Sequence, residues 1–167
     1  YSHGPIFCRY PRGEGEGVDI PDIIQDVKIG KGRIIQRGKD LAILALGTRV
    51  GTALKVADHL SQDNLNITVA DARFAKPIDT ELLEKLWNEH QKLIIIEEGS
   101  AGGFSSHCLH FLSSKDLLNK HDKEIKCLTM PDNFQDHASQ NEQLARAGLD
   151  IDGLMKVVSK MITLSNI

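Results

Sequence analysis

The chain has 167 residues, 41% hydrophobic, 26% charged and only 5% aromatic. That is the content of one ordinary globular domain, or one domain with an appendage, and it excludes a disordered or collagen-like chain. Lys plus Arg number 20 against 23 for Asp plus Glu, a net charge of −3, which argues against a nucleic-acid binder with its usual basic excess.

The start, Tyr1-Ser-His-Gly-Pro5, carries neither the basic nor the apolar region of a signal peptide and no methionine. We expect it to lie inside a longer chain. Residues 1–30 are dense in breakers, with Gly4, Pro5, Pro11, Gly13, Gly15, Gly17 and Pro21 among Glu14, Glu16, Asp19 and Asp22. This composition reads as loop and linker. Arg33-Ile-Ile35, then Gly38-Lys39, then Leu41-Ala-Ile-Leu-Ala-Leu46 predicts a strand, a tight turn and a second strand. Because the second run is apolar on consecutive positions, it should be buried on both faces. The first would pair with it as a hairpin and supply one antiparallel edge.

Val50, Ala53, Leu54, Ala57 and Leu60 recur at helical spacing, and the stretch from Ser61 to Asn66 ends that helix. Ile67-Thr-Val-Ala70 is the next strand. Pro77 and Asp79 open a helix with Asp79 as N-cap and Leu82, Leu83 and Leu86 on one face. Leu93-Ile-Ile-Ile96 is a further buried strand, followed by Glu97-Glu98-Gly99, the Gly102-Gly103 turn and a helix carrying Cys108, Leu109, Phe111 and Leu112. Glu124 to Met130 is the last strand, and helices over 141–147, capped by Gly148, and 151–162 finish the chain. Apolar strands alternating with amphipathic helices predict a three-layer α/β/α sandwich around a mostly parallel sheet of about five strands, with one antiparallel edge strand.

Five groups of residues could carry chemistry. The loop Glu97-Glu98-Gly99-Ser100-Ala101-Gly102-Gly103-Phe104 sits between strand and helix, where free N–H groups can hold a phosphate. Its spacing matches neither the dinucleotide fingerprint nor the P-loop, and Glu97 and Glu98 would repel an anion, so a close-packing turn is the plainer reading. Glu97 and Glu98 are neighbours on a strand end, point to opposite faces and cannot act as an acid/base pair with each other. His107 and His110 share a helix face, but no acidic residue joins them at helical spacing, which favours solvated histidines over a metal site. Asp136-His137 with Ser139 nearby suggests a hydrolase, yet the Gly-x-Ser-x-Gly elbow is missing.

The segment Arg9-Tyr10-Pro11-Arg12-Gly13 places a proline between two arginines and a glycine after the second. A guanidinium there could donate two parallel hydrogen bonds to a phosphate, or the segment could be a solvated basic loop. The three cysteines, Cys8, Cys108 and Cys127, are odd in number and widely spaced. They form neither a disulfide framework nor a zinc pattern and suggest a reducing compartment, hence a cytoplasmic location. No apolar run approaches the roughly 18 residues of a membrane helix.

Eight short strings occur in a telling order. They are Arg9-Tyr-Pro-Arg-Gly13, Ile29-Gly-Lys-Gly-Arg33, Gly47-Thr-Arg49, Val69-Ala-Asp-Ala-Arg-Phe74, Lys76-Pro77-Ile-Asp79, Glu97 through Phe104, Pro131-Asp132 and Ala147-Gly-Leu-Asp150. Together they resemble the C-terminal part of the 1-deoxy-D-xylulose-5-phosphate synthases, thiamine-diphosphate enzymes of the transketolase-like superfamily, in a form of bacterial type. Ser105 and Ala138 depart from the family pattern, which often has glycine at both places.

The resemblance implies the following. Residues 1–17 would close a central pyrimidine-binding domain, 18–30 would be a linker, and 31–167 would be a transketolase-type C-terminal domain. The complete enzyme would use thiamine diphosphate and Mg²⁺ to decarboxylate pyruvate and join it to glyceraldehyde 3-phosphate, the entry to non-mevalonate isoprenoid synthesis. Arg12 would bind the substrate phosphate. The metal motif, the cofactor-facing histidines and the activating glutamate would lie upstream of Tyr1, so this chain alone would bind no cofactor or metal and would not turn over. Its partners would be the missing domains and a second copy in a homodimer, with no nucleic acid or membrane. The alternatives are the equivalent domain of a transketolase or of a 2-oxoacid dehydrogenase E1 β subunit, or a non-catalytic nucleotide-binding module built on the Gly102-Gly103 turn.

Overall fold

The computed structural model describes residues 4–5, 22, 26–119 and 122–163. Its elements in order are β1 (Arg33–Gln36), β2 (Leu41–Ala45), α1 (Arg49–Ser61), β3 (Ile67–Asp71), α2 (Thr80–Glu89), β4 (Lys92–Ser100), α3 (Phe104–Ser114), a 3₁₀ turn (Leu117–Asn119), β5 (Glu124–Met130), α4 (Gln140–Ala147) and α5 (Ile151–Thr163). They form one five-stranded sheet in the order β1-β3-β2-β4-β5. All its pairs are parallel except β1 with β3.

The expected sandwich with its single antiparallel edge is present, and residue alternation builds its two halves. Leu41, Ile43 and Ala45 of β2 and Ile94 and Ile96 of β4 face one side, where they pack with α1 and α5. Ala42 and Leu44, with Leu93 and Ile95, face the other and pack with α2 and α3. Every β2 residue is buried, as consecutive apolar positions require of a strand covered twice.

The expected hairpin between the first two strands does not form. β1 pairs instead with β3, Arg33 lying opposite Asp71 and Ile34 opposite Ala70, while β2 takes the centre between β3 and β4. The connection between them crosses the start of β3. Lys39 and Asp40 both donate their N–H groups to Asn66 O at 3.0 Å, and Gly38 N–H donates to Thr68 Oγ1 at 2.8 Å. A strand that must be buried on both faces also needs a partner on each edge. β1, alternately exposed and half-buried, can serve only at the rim.

Each capping expectation for the helices holds. Asp79 Oδ1 accepts Leu82 N–H at 3.1 Å at the start of α2, and Gly148 closes α4 in a left-handed conformation at φ 68°. No helix among the described residues is long and apolar enough to cross a membrane.

Candidate functional site

Arg12, to which the resemblance assigns the substrate phosphate, lies outside the described residues, as does Arg9. What the structure does place is the carboxyl edge of the parallel sheet, where α/β folds put ligands. Glu97, Glu98 and the Gly102-Gly103 turn all sit there.

Glu97 is buried, with 3% of its surface exposed. Its Oε2 accepts Phe104 N–H at 2.9 Å, and its Oε1 accepts both Ser105 N–H at 2.7 Å and the Ser105 hydroxyl at 2.8 Å. The pairing of β4 with β5 is irregular between Ile96 and Ser100, and past Ile96 the carboxylate turns under the start of α3. A Cβ on Gly103 would lie 2.6 Å from Glu97 Oε2, so glycine here is a matter of close approach. The chain's own anion thus occupies the electropositive helix start where a phosphate would bind. That arrangement speaks against the nucleotide-binding alternative, because a second anion would meet a buried negative charge and find its donors taken.

Ser105 also acquires a role. Where the resemblance would place glycine, its hydroxyl supplies a further donor to the buried carboxylate. The helix accommodates the departure and uses it. Cys108 lies on the buried face of the same helix, and burial pushes its thiol up to about 12, with Cys127 and Glu97 adding to the shift. Cys127 is raised for the same first reason, burial, partly offset by Ser105. Neither cysteine is set up as a nucleophile, which requires a lowered value.

Glu98 points to the opposite side, as strand alternation demands. It accepts the Thr48 hydroxyl and, at 3.0 Å, Arg49 Nε. Arg49 is 8% exposed, and its Nη1 donates to Leu149 O at 2.7 Å. One guanidinium therefore joins the first turn of α1, the end of β4 and the turn between α4 and α5. Sequence reasoning missed this residue, although a signal existed: a cation in the first turn of a helix opposes the dipole and needs a nearby partner. Beside it an open cleft of about 600 Å³ is lined by Arg49, Thr52, Lys55, Asn141 and Asp150, among others.

The histidines are not gathered into a site. His107, His110 and His137 are exposed, and no group of three His, Cys, Asp or Glu among the described residues could hold a metal. Ser139 caps α4 in a reciprocal capping box with Glu142, so the Asp136-His137-Ser139 string serves helix initiation. Ala138 has no left-handed backbone, and alanine fits there without strain. Among the described residues the buried histidine is His90, which no local signal marks as a core residue. Its Nε2 lies 2.9 Å from Thr68 Oγ1 and 3.1 Å from Gly38 O, at the other end of the sheet. Among the described residues, the helix start at Gly102-Gly103 is already occupied by the Glu97 carboxylate.

The family described as transketolase, C-terminal domain, matches residues 30–154. Among solved structures the chain is similar to a split-gene transketolase described as an inactive β4 tetramer. Identity is 27% and the TM-score 0.73, over 87% of this chain and 47% of that one. It is also similar to the transketolase of Campylobacter jejuni subsp. jejuni NCTC 11168, at 18% identity and TM-score 0.51, over 83% of this chain and 20% of that one; this second likeness concerns the fold alone. The chain spans less than half the length of either.

Proposed function

Because the chain belongs to the family of transketolase C-terminal domains, we propose that it works as one part of a transketolase-type transferase, namely 1-deoxy-D-xylulose-5-phosphate synthase. Residues 1–17 end the preceding domain, 18–30 link, and 31–167 form the C-terminal domain. The observation that carries this reading is that the motif strings behind the resemblance meet in space. Gly32 of the Gly-Lys-Gly string bonds Asp79 of Lys-Pro-Ile-Asp, 47 residues on. Arg49 of Gly-Thr-Arg bonds Glu98 of the Glu-Glu-Gly string and Leu149 of Ala-Gly-Leu-Asp. Strings shared by chance would have no reason to be mutual contacts.

In this division of labour Arg12 holds the phosphate of glyceraldehyde 3-phosphate with two parallel N–H donors. The domain itself braces the assembly, as a homodimer in the cytoplasm. When bound by the domains that precede this one, thiamine diphosphate with its metal would supply the carbanion chemistry on pyruvate. The chain alone does not turn over. The split-gene transketolase, similar over 87% of this chain, is described as an inactive β4 tetramer, which supports that expectation.

The second reading, the C-terminal domain of a transketolase proper, is favoured by the 27% identity to the split-gene protein. One experiment separates them. The chain joined to the domains that precede it is given pyruvate with glyceraldehyde 3-phosphate, and separately a ketose phosphate with an aldose phosphate. Deoxyxylulose phosphate formed only in the first mixture supports the synthase, whereas ketol transfer in the second selects the transketolase. Product from the 167-residue chain alone would overturn the assignment of catalysis to the other domains.

A further inference from the structure

The chain enters β1 through two glycines flanking one lysine, Gly30-Lys31-Gly32, a composition that ordinarily makes a free hinge. Here it is fixed. Lys31 N–H donates to Lys28 O at 3.1 Å, and Gly30 lies at φ +71°, as the third residue of such a turn needs. A Cβ on Gly30 would come 2.9 Å from Pro77 Cγ, and one on Gly32 would come 2.6 Å from both Asp71 O and Leu82 Cδ2. Both glycines are therefore pressed onto the connection between β3 and α2.

Asp79 ties this joint. Its Oδ1 caps α2 through Leu82 N–H at 3.1 Å, while its Oδ2 accepts Gly32 N–H at 3.0 Å. Lys31 Nζ lies 3.7 Å from Asp79 and 2.6 Å from Glu81. Capping needs only one oxygen, and serine, threonine or asparagine would supply it. The second oxygen acts on the entering chain instead. The Asp79 side chain is 8% exposed, so water competes poorly for that bond. The Lys31–Glu81 pair is open to solvent on both sides and contributes little by comparison.

We propose that Asp79 is a positioning residue, whose second carboxylate oxygen latches the incoming chain at Gly32 and so fixes the direction in which the preceding segment leaves the domain. For the consequence at Arg12 the inference rests on the proposed function. An unlatched Gly-Lys-Gly joint would let the domain swivel against the segment that carries Arg12. The substrate phosphate would then meet its guanidinium in the right place for a smaller fraction of the time.

The test uses Asp79→Ser, which keeps a capping oxygen for Leu82 N–H but is too short to reach Gly32 as well, and Asp79→Asn, which keeps the cap but turns an N–H donor toward Gly32 N–H. In the 167-residue chain, trypsin should cut after Lys28, Lys31 and Arg33 about tenfold faster in both variants, as expected for loss of one charge-assisted bond. Cleavage after Lys85 and Lys156 should be unchanged. Equal rates at the joint overturn the latch. In the enzyme completed with its preceding domains, both variants should raise the KM for glyceraldehyde 3-phosphate about threefold to tenfold, with kcat and the KM for pyruvate within about twofold of the parent. A fall in kcat with both KM values unmoved overturns the positioning role. If the parent enzyme fails to act on these two substrates, it is the proposed function that falls, and the trypsin comparison still decides the latch.

Discussion

Glu97 and Ser105 are joined twice, through the serine N–H at 2.7 Å and its hydroxyl at 2.8 Å, across a helix start that is closed to solvent. The carboxylate satisfies donors that α3 cannot satisfy within itself, and its position is what makes Gly103 necessary. Replacing Glu97 by Ala strands two buried N–H groups and a hydroxyl, and should cost about 2 to 4 kcal/mol in urea unfolding. Ser105→Ala removes only the hydroxyl and should cost about 1 kcal/mol. A Glu97→Ala protein as stable as the parent would show that water replaces the carboxylate without loss.

Arg49 binds two elements far apart in sequence, and the energy should reside in its coupling to Glu98. Arg49→Ala leaves Leu149 O without its side-chain donor and the Glu98 carboxylate with the Thr48 hydroxyl but no cation, and should destabilise by about 2 to 4 kcal/mol. In a double-mutant cycle with Glu98→Gln, the interaction energy should be about 1 to 2 kcal/mol, more than an exposed pair gives, because Arg49 is buried although Glu98 is not. A coupling near zero would assign the whole effect to the Leu149 bond.

The thiols supply a pH prediction. In the unfolded chain the Cys108 thiol ionises near its ordinary value of 9.0, while in the fold burial holds it neutral up to about 12. Its contribution to stability is therefore intact below pH 9 and is lost as pH climbs from 9 toward 12, since the unfolded state alone releases the proton there. Cys127 shifts in the same direction. At pH 8 the folded chain should leave Cys108 unalkylated by iodoacetamide, with Cys127 slow, and both should label fully in denaturant. Rapid labelling of Cys108 in the native chain would contradict its burial.

Most of the architecture was legible because the strands state their own burial. Leu41–Ala45 and Leu93–Ile96 are apolar on both faces, and a sheet with helices on both sides is the arrangement that satisfies them. Strand neighbours are another matter. Nothing local in Arg33–Gln36 says that it pairs with Ile67–Asp71, because the choice depends on β2 needing both edges covered. The candidate site was harder to read for a related reason. Strand alternation puts Glu97 and Glu98 on opposite faces, but what each meets comes from residues at a distance: Phe104 and Ser105 for one, Thr48 and Arg49 for the other. Position alone marks Asp79 as a cap, whereas its second partner, Gly32, lies 47 residues earlier and leaves no local trace.

The last prediction concerns Arg12 and follows from the proposed function. A guanidinium on a segment stiffened by Pro11 can offer a phosphate two parallel donors, and Lys could match the charge but not the fork. In the completed enzyme, Arg12→Ala should therefore weaken use of glyceraldehyde 3-phosphate by about 2 to 4 kcal/mol in kcat/KM, the size expected when one member of a charged pair is removed. Most of that loss should appear in the KM for the phosphorylated substrate, and pyruvate handling should change little. Arg12→Lys should recover part of the loss. The informative comparison is with an unphosphorylated acceptor such as glyceraldehyde: the parent and Arg12→Ala should use it equally poorly, because the interaction that distinguishes them is missing from both. If Arg12→Ala instead loses activity equally toward both acceptors, the arginine acts on something other than the phosphate.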